Sequence, residues 1–126
     1  MRDATTERAR GFIATNQPTP TVSDFGAAEF ASALGLRLRT GRLDIAQVRF
    51  AFSEFDSWRA GAARTCQLTP GDVRAADAFI RRLELPLRAP DGLHIAIAQR
   101  LGCALATFDV QMAESASILG VPVAST

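Results

Sequence analysis

Leu101-Gly102-Cys103-Ala104-Leu105-Ala106-Thr107-Phe108-Asp109 is the stretch whose reading decides the fold. Gly102 is the residue type that ends helices in the left-handed conformation. Cys103–Phe108 is nearly continuously apolar, as expected of a strand buried on both faces. Asp109 is a favoured N-cap for the helix that should follow. A buried strand running into a helix at an acid is the repeating unit of parallel α/β sheets. Working outward, Asp91–Leu101 reads as the preceding helix. The final helix runs to about Leu119, Gly120 stops it, and Val121-Pro122-Val123 reads as a short edge strand.

The upstream half repeats this alternation. Residues 4–15 read as a helix with Asp3 as its cap, broken by Pro18-Thr19-Pro20, and Thr21-Val22 as the end of a short strand. Ser23 caps a helix to about Arg39, ended by Gly41. A helix over 44–59 carries Ile45, Val48, Phe52 and Phe55 at helical spacing. Thr65–Leu68 reads as a short strand. Thr69-Pro70 opens a helix with the stripe Val73, Ala76, Ile80 and Leu83, since proline favours the first helical position. The expectation is an α/β domain with a mainly parallel sheet, one domain over 1–126. A sheet of these strands alone is thin for so many helices, so a leading strand is expected to be missing from the chain or supplied otherwise.

The 126 residues carry 14 arginines, no lysine and 13 acids, a net charge of +1. That balance excludes a general electrostatic grip on nucleic acid and leaves only local patches. No apolar run approaches the ~18 residues that span a bilayer, and Met1–Thr5 has no secretory pattern, which points to a cytoplasmic protein. Cys66 and Cys103, far apart and beside apolar residues, read as reduced core thiols. A single histidine excludes a multi-histidine metal site within one chain. The usual phosphate-binding and nucleophile loops are absent.

Sites in such sheets gather where strands end and helices begin. Asp109 stands at one such place, with Thr107 two residues earlier on the same side of the strand. Asp91 starts a helix whose projection puts both Asp91 and His94 on the apolar side. His94 reads as a packed core histidine, or alternatively as a base paired with Asp91 in a small-molecule enzyme. Glu29 lies mid-helix between Ala33 and Leu36, where a carboxylate needs a partner or a cation. Asp24, Glu54, Asp72, Asp77 and Glu84 read as solvated or dipole-matched charges. Acids converging without histidine or cysteine suit a hard ion, Mg²⁺ or Mn²⁺.

Val22–Phe30, Ala89–Ala96 and Ala106–Asp109 together resemble the PIN-domain family, most closely the VapC-type toxin ribonucleases of bacterial toxin–antitoxin pairs. Leu101–Asp109 and Leu119–Val123 resemble that family's usual ending. The resemblance implies a three-layer α/β/α fold with a central parallel sheet, and a magnesium-dependent endoribonuclease. It also implies a cognate antitoxin as inhibitor and a homodimer as the usual state. By the same resemblance Glu29, Asp91 and Asp109 would be the metal-binding catalytic acids, and Thr107 a fourth catalytic residue. The family opens with a strand ending in a first acid. By that comparison the segment is lacking before Asp3, so the expectation is either a true start upstream of Met1 or a degenerate, catalytically inactive truncated copy. Phe50 and Trp58, off the core stripe of their helix, would then take an antitoxin segment or a second subunit.

Overall fold

The computed structural model describes residues 19–124; the expected helix over 4–15, its Asp3 cap and Pro18 lie outside the described residues. The chain divides into two compact units, one running to Gln67 and one starting at Leu68.

The first unit orders β1 (Thr21–Ser23), α1 (Asp24–Arg39), α2 (Ile45–Ala62) and β2 (Arg64–Cys66). The two strands are parallel, Thr21 opposite Arg64 and Ser23 opposite Cys66. Ser23 caps α1 by accepting from Gly26 N at 2.8 Å. Asp44 and Gln47 close a reciprocal capping box on α2, at 2.8 and 2.9 Å. Such caps contribute about 1 kcal/mol each by satisfying orphan helix N–H groups. Leu34, Leu43, Val48 and Ala51 form the buried core of this unit, with Phe30, Leu38 and Phe52 against it.

Two expectations about α2 change. Ile45 is half exposed, and Ala51 takes a buried position instead. Trp58 does not project away from the stripe: it is partly buried, 6.0 Å from Phe55, whose ring stacks on Phe30 at 4.4 Å. Only Phe50, 55% exposed, matches the expected protruding aromatic.

The second unit holds α3 (Pro70–Arg81), α4 (Ala89–Leu101) and α5 (Val110–Ile118). Its core joins Leu85, Leu87, Ile95, Ala98, Leu105, Met112, Ala116 and Val121. Fully burying one such Leu or Ile stabilises by roughly 1.5–3 kcal/mol. Gly92 lets α4 approach α3: a Cβ there would sit 3.2 Å from Ala76 Cβ and 3.3 Å from Ile80 Cδ1. Gly102 closes α4 at φ 66°.

The α3 stripe is rotated from its expected position. The inward arc runs through Asp72, Ala76, Phe79 and Ile80, whereas Val73 is exposed. Leu83 lies beyond the helix, 85% exposed and at φ 68°. The expected strand Cys103–Phe108 contracts to one parallel bridge, Leu105 to Val123. Leu105 N donates to Pro122 O and Ala124 N to Leu105 O, both at 2.8 Å. Only Leu105 of that run is buried; Ala104, Ala106 and Phe108 are exposed. Cys66 and Cys103 are free thiols, partly exposed rather than core. Parallel pairing among helices is α/β in character. No helix among the described residues is long and apolar enough to cross a membrane.

Candidate functional site

Asp109 is fixed by the turn that precedes it. Its backbone N–H donates to Thr107 Oγ1 at 3.1 Å, a local turn that threonine favours. Its Oδ1 accepts from Met112 N at 3.1 Å, so it is the N-cap of α5. Thr107 Oγ1 also lies 3.6 Å from Met112 Sδ. Threonine, aspartate and the first turn of α5 are thus locked together, and Thr107 acts on the conformation of Asp109 through its backbone.

Asp91 sits in the first turn of α4. Its Oδ2 accepts from Arg88 N at 3.0 Å. The reciprocal half of a capping box is missing because a guanidinium has no acceptor. The Arg88 guanidinium, largely in solvent, stays 3.9 Å from the same oxygen, while the Asp91 side chain is only 19% exposed. His94, one turn further along α4, is partly buried. Glu29 lies mid-way along α1 and is partly buried. Its neighbours on the helix surface, Ala33 and Leu36, are exposed, so this arc is not the core-facing arc expected from the sequence. Phe30, Leu34 and Leu38 take that role.

A polar constellation that sequence reasoning missed lies in the same unit as Asp91 and Asp109. Asp72, read as a solvated or dipole-matched charge, does lie in the first turn of α3 but is 2% exposed. Arg100 grips it with two hydrogen bonds, Nε to Oδ1 at 2.8 Å and Nη2 to Oδ2 at 3.0 Å. Oδ2 also accepts from Thr69 N at 2.9 Å, and Thr69 Oγ1 accepts from Asp72 N at 3.2 Å. The Arg100 hydrogen bonds hold the Asp72 carboxyl below its ordinary value of 3.8, against the opposing effect of burial. The cap half of this arrangement is written in Thr69-Pro70-Gly71-Asp72, a Thr followed three residues later by an acid. The Arg100 half, 28 residues away, leaves no local signal.

The PIN domain family model matches residues 2–117, most of the chain. The chain belongs to the PIN domain family. No curated protein sequence matches it. PIN domains are generally nucleases that act on RNA or DNA and use divalent metals. Carboxylate and hydroxyl oxygens are the hard donors such an ion takes. Among the described residues, however, no three His, Cys, Asp or Glu side chains are grouped to hold a metal. Asp91 and Asp109 each also spend one oxygen on a helix start. The described side chains of this PIN domain are therefore not a preformed metal site.

Proposed function

We propose that this PIN domain is a magnesium- or manganese-dependent endoribonuclease, the toxin of a VapC-type toxin–antitoxin pair. In this reading the fold is three-layered α/β/α, and Glu29, Asp91 and Asp109 are its catalytic, metal-binding acids. Thr107, which holds the Asp109 turn, is the fourth catalytic residue. The protein would be cytoplasmic and homodimeric, with a cognate antitoxin as its inhibitor. The observation that carries this reading is the family match across 2–117, which spans all four residues. The test is cleavage of a structured RNA by the full chain. Cleavage should require Mg²⁺ or Mn²⁺, stop on chelation, and be abolished by Asp91→Asn or Asp109→Asn. Cleavage that survives both substitutions would reject the assignment.

A second reading, a non-catalytic PIN module that binds antitoxin or an intact toxin subunit, is favoured by a specific observation. Both helix-start acids are engaged as caps, and no three-acid group exists among the described residues. Its signature is antitoxin binding without metal-dependent cleavage. Phe50 is the protruding ring such a partner would cover. Phe50→Ser should weaken co-purification with the antitoxin, and unchanged co-purification would remove Phe50 from that interface.

A further inference from the structure

The charge of this nearly neutral chain is segregated. Residues 37–49 hold four arginines (Arg37, Arg39, Arg42, Arg49) and one acid (Asp44), a net +3. The other 113 residues hold ten arginines and twelve acids, a net −2. All four arginines gather at the corner between α1 and α2. Arg37 and Arg39 lie in the last turn of α1, Arg42 in the connection, and Arg49 at the fifth position of α2. At 1.5 Å per residue, Arg49 is about 6 Å along its helix from the corner.

Backbone hydrogen bonds close the corner. Arg42 N and Leu43 N both donate to Arg37 O, at 2.9 and 3.2 Å, and Gly41 N donates to Leu38 O at 3.2 Å. Gly41 makes the reversal at φ 75°, a conformation that costs other residues strain. Leu43, beside Arg42, is buried in the core of this unit.

Local electrostatics account for only half of the arginines. Arg37 and Arg39 complement the negative end of α1. Arg42 comes two residues before the N-cap of α2, where the helix presents its positive end and a cation is disfavoured. The one acid of the segment, Asp44, is engaged as that cap through Gln47 N. Arg39, Arg42 and Arg49 are exposed, and none takes a carboxylate among the described residues.

We infer that the α1–α2 corner is a phosphate-backbone clamp that grips a single RNA strand through Arg39, Arg42 and Arg49. Guanidinium forks match phosphate oxygens in pairs, and a corner whose backbone is already hydrogen-bonded leaves only the side chains to order. The inference rests on the nuclease reading for the choice of polyanion only. Because gripping needs no divalent ion, it is measured apart from cleavage.

The experiment titrates a fluorescent single-stranded RNA with the full chain in EDTA, from 50 to 300 mM salt. The variant is R39Q/R42Q/R49Q, whose changed side chains are exposed, so the fold is checked by circular dichroism. Each phosphate contact contributes a slope of about 0.7 in log K against log salt, so the variant should lose about 2 of the slope. In the cleavage assay with Mg²⁺ the variant should raise KM and leave kcat unchanged. A slope and affinity equal to wild type would overturn the clamp. So would competition by poly-glutamate as strong as that by RNA of equal charge, which would make the corner a site for acidic protein. Arginine-dependent binding without any cleavage would leave the clamp standing and remove the nuclease reading. Cleavage with an unchanged KM in the variant would do the reverse.

Discussion

An aspartate at a helix start combines two separable properties, a cap acceptor and a negative charge. Asn caps about as well as Asp, so Asp109→Asn should keep the Met112 N–H satisfied and leave stability within a few tenths of a kcal/mol. Asp109→Ala should cost about 1 kcal/mol. If Asp109 serves the chemistry, both should lower RNA cleavage roughly 100-fold or more, at least the loss seen for groups that only support a metal ligand. Thermal melts beside cleavage rates separate the two roles; full activity in D109N would leave Asp109 as a cap alone. Asp72 poses the opposite case, a buried carboxylate with a purely structural set of partners. Asp72→Ala removes the carboxylate that takes two Arg100 hydrogen bonds and the Thr69 N–H and should cost roughly 3 kcal/mol, the low end for breaking a buried pair, because Arg100 is partly solvated. The folded carboxyl titrates below its ordinary value of 3.8. Its contribution is therefore complete above about pH 5 and is lost as the pH falls below 4 through the folded value. Urea melts should show a wild-type advantage over D72A that is constant from pH 5 to 8 and shrinks under more acid conditions. An advantage independent of pH down to 3 would mean that charge is not what Asp72 contributes.

At the scale of elements, α3 and α4 meet where Gly92 removes a side chain. Alanine would gain up to about 1 kcal/mol of helix propensity, but its Cβ would press on Ala76 Cβ, which has no rotamer to move. Gly92→Val should be destabilising by about 1–3 kcal/mol through overpacking. Combining it with Ala76→Gly should recover part of that loss, a coupling of at least about 0.5 kcal/mol for residues in contact. Additive losses in denaturant melts would show that the helices do not meet there as described. Caps and stops were legible in the sequence because their chemistry is local. Ser23, Thr69, Asp109 and Gly102 each stand next to the groups they satisfy or the turn they permit. Pairings across long separations were not. The apolar run Cys103–Phe108 states what a strand would bury, not which strands flank it, and only Leu105 finds a bridge. The α3 stripe misled because Asp72 is polar yet buried, its burial depending on Arg100. Of the candidate site, Thr107 and Asp109 were legible together because they stand two positions apart.

For the molecule as a whole, the proposed acids lie far apart along the chain, at positions 29, 91 and 109, so any joint action would be a property of the folded state alone. A ligand that binds only the folded chain stabilises it by mass action, about 2.7 kcal/mol at a hundred times its Kd. For a chain of this length each kcal/mol raises Tm by about 4 °C. Saturating Mg²⁺ or Mn²⁺ should therefore raise Tm by several degrees if Glu29, Asp91 and Asp109 share one ion. Glu29→Gln, Asp91→Asn and Asp109→Asn should each remove most of that rise. The double variant Asp91→Asn/Asp109→Asn should remove little more than either alone, since ligands of one ion do not act independently. The asparagines keep both caps, so the melting point without metal should stay near that of wild type. Ionic strength is matched with NaCl, which leaves specific binding as the only source of the difference. A rise that persists in all three single variants, or that falls in equal independent steps, would place the ion elsewhere and leave these carboxylates as helix caps and surface charge.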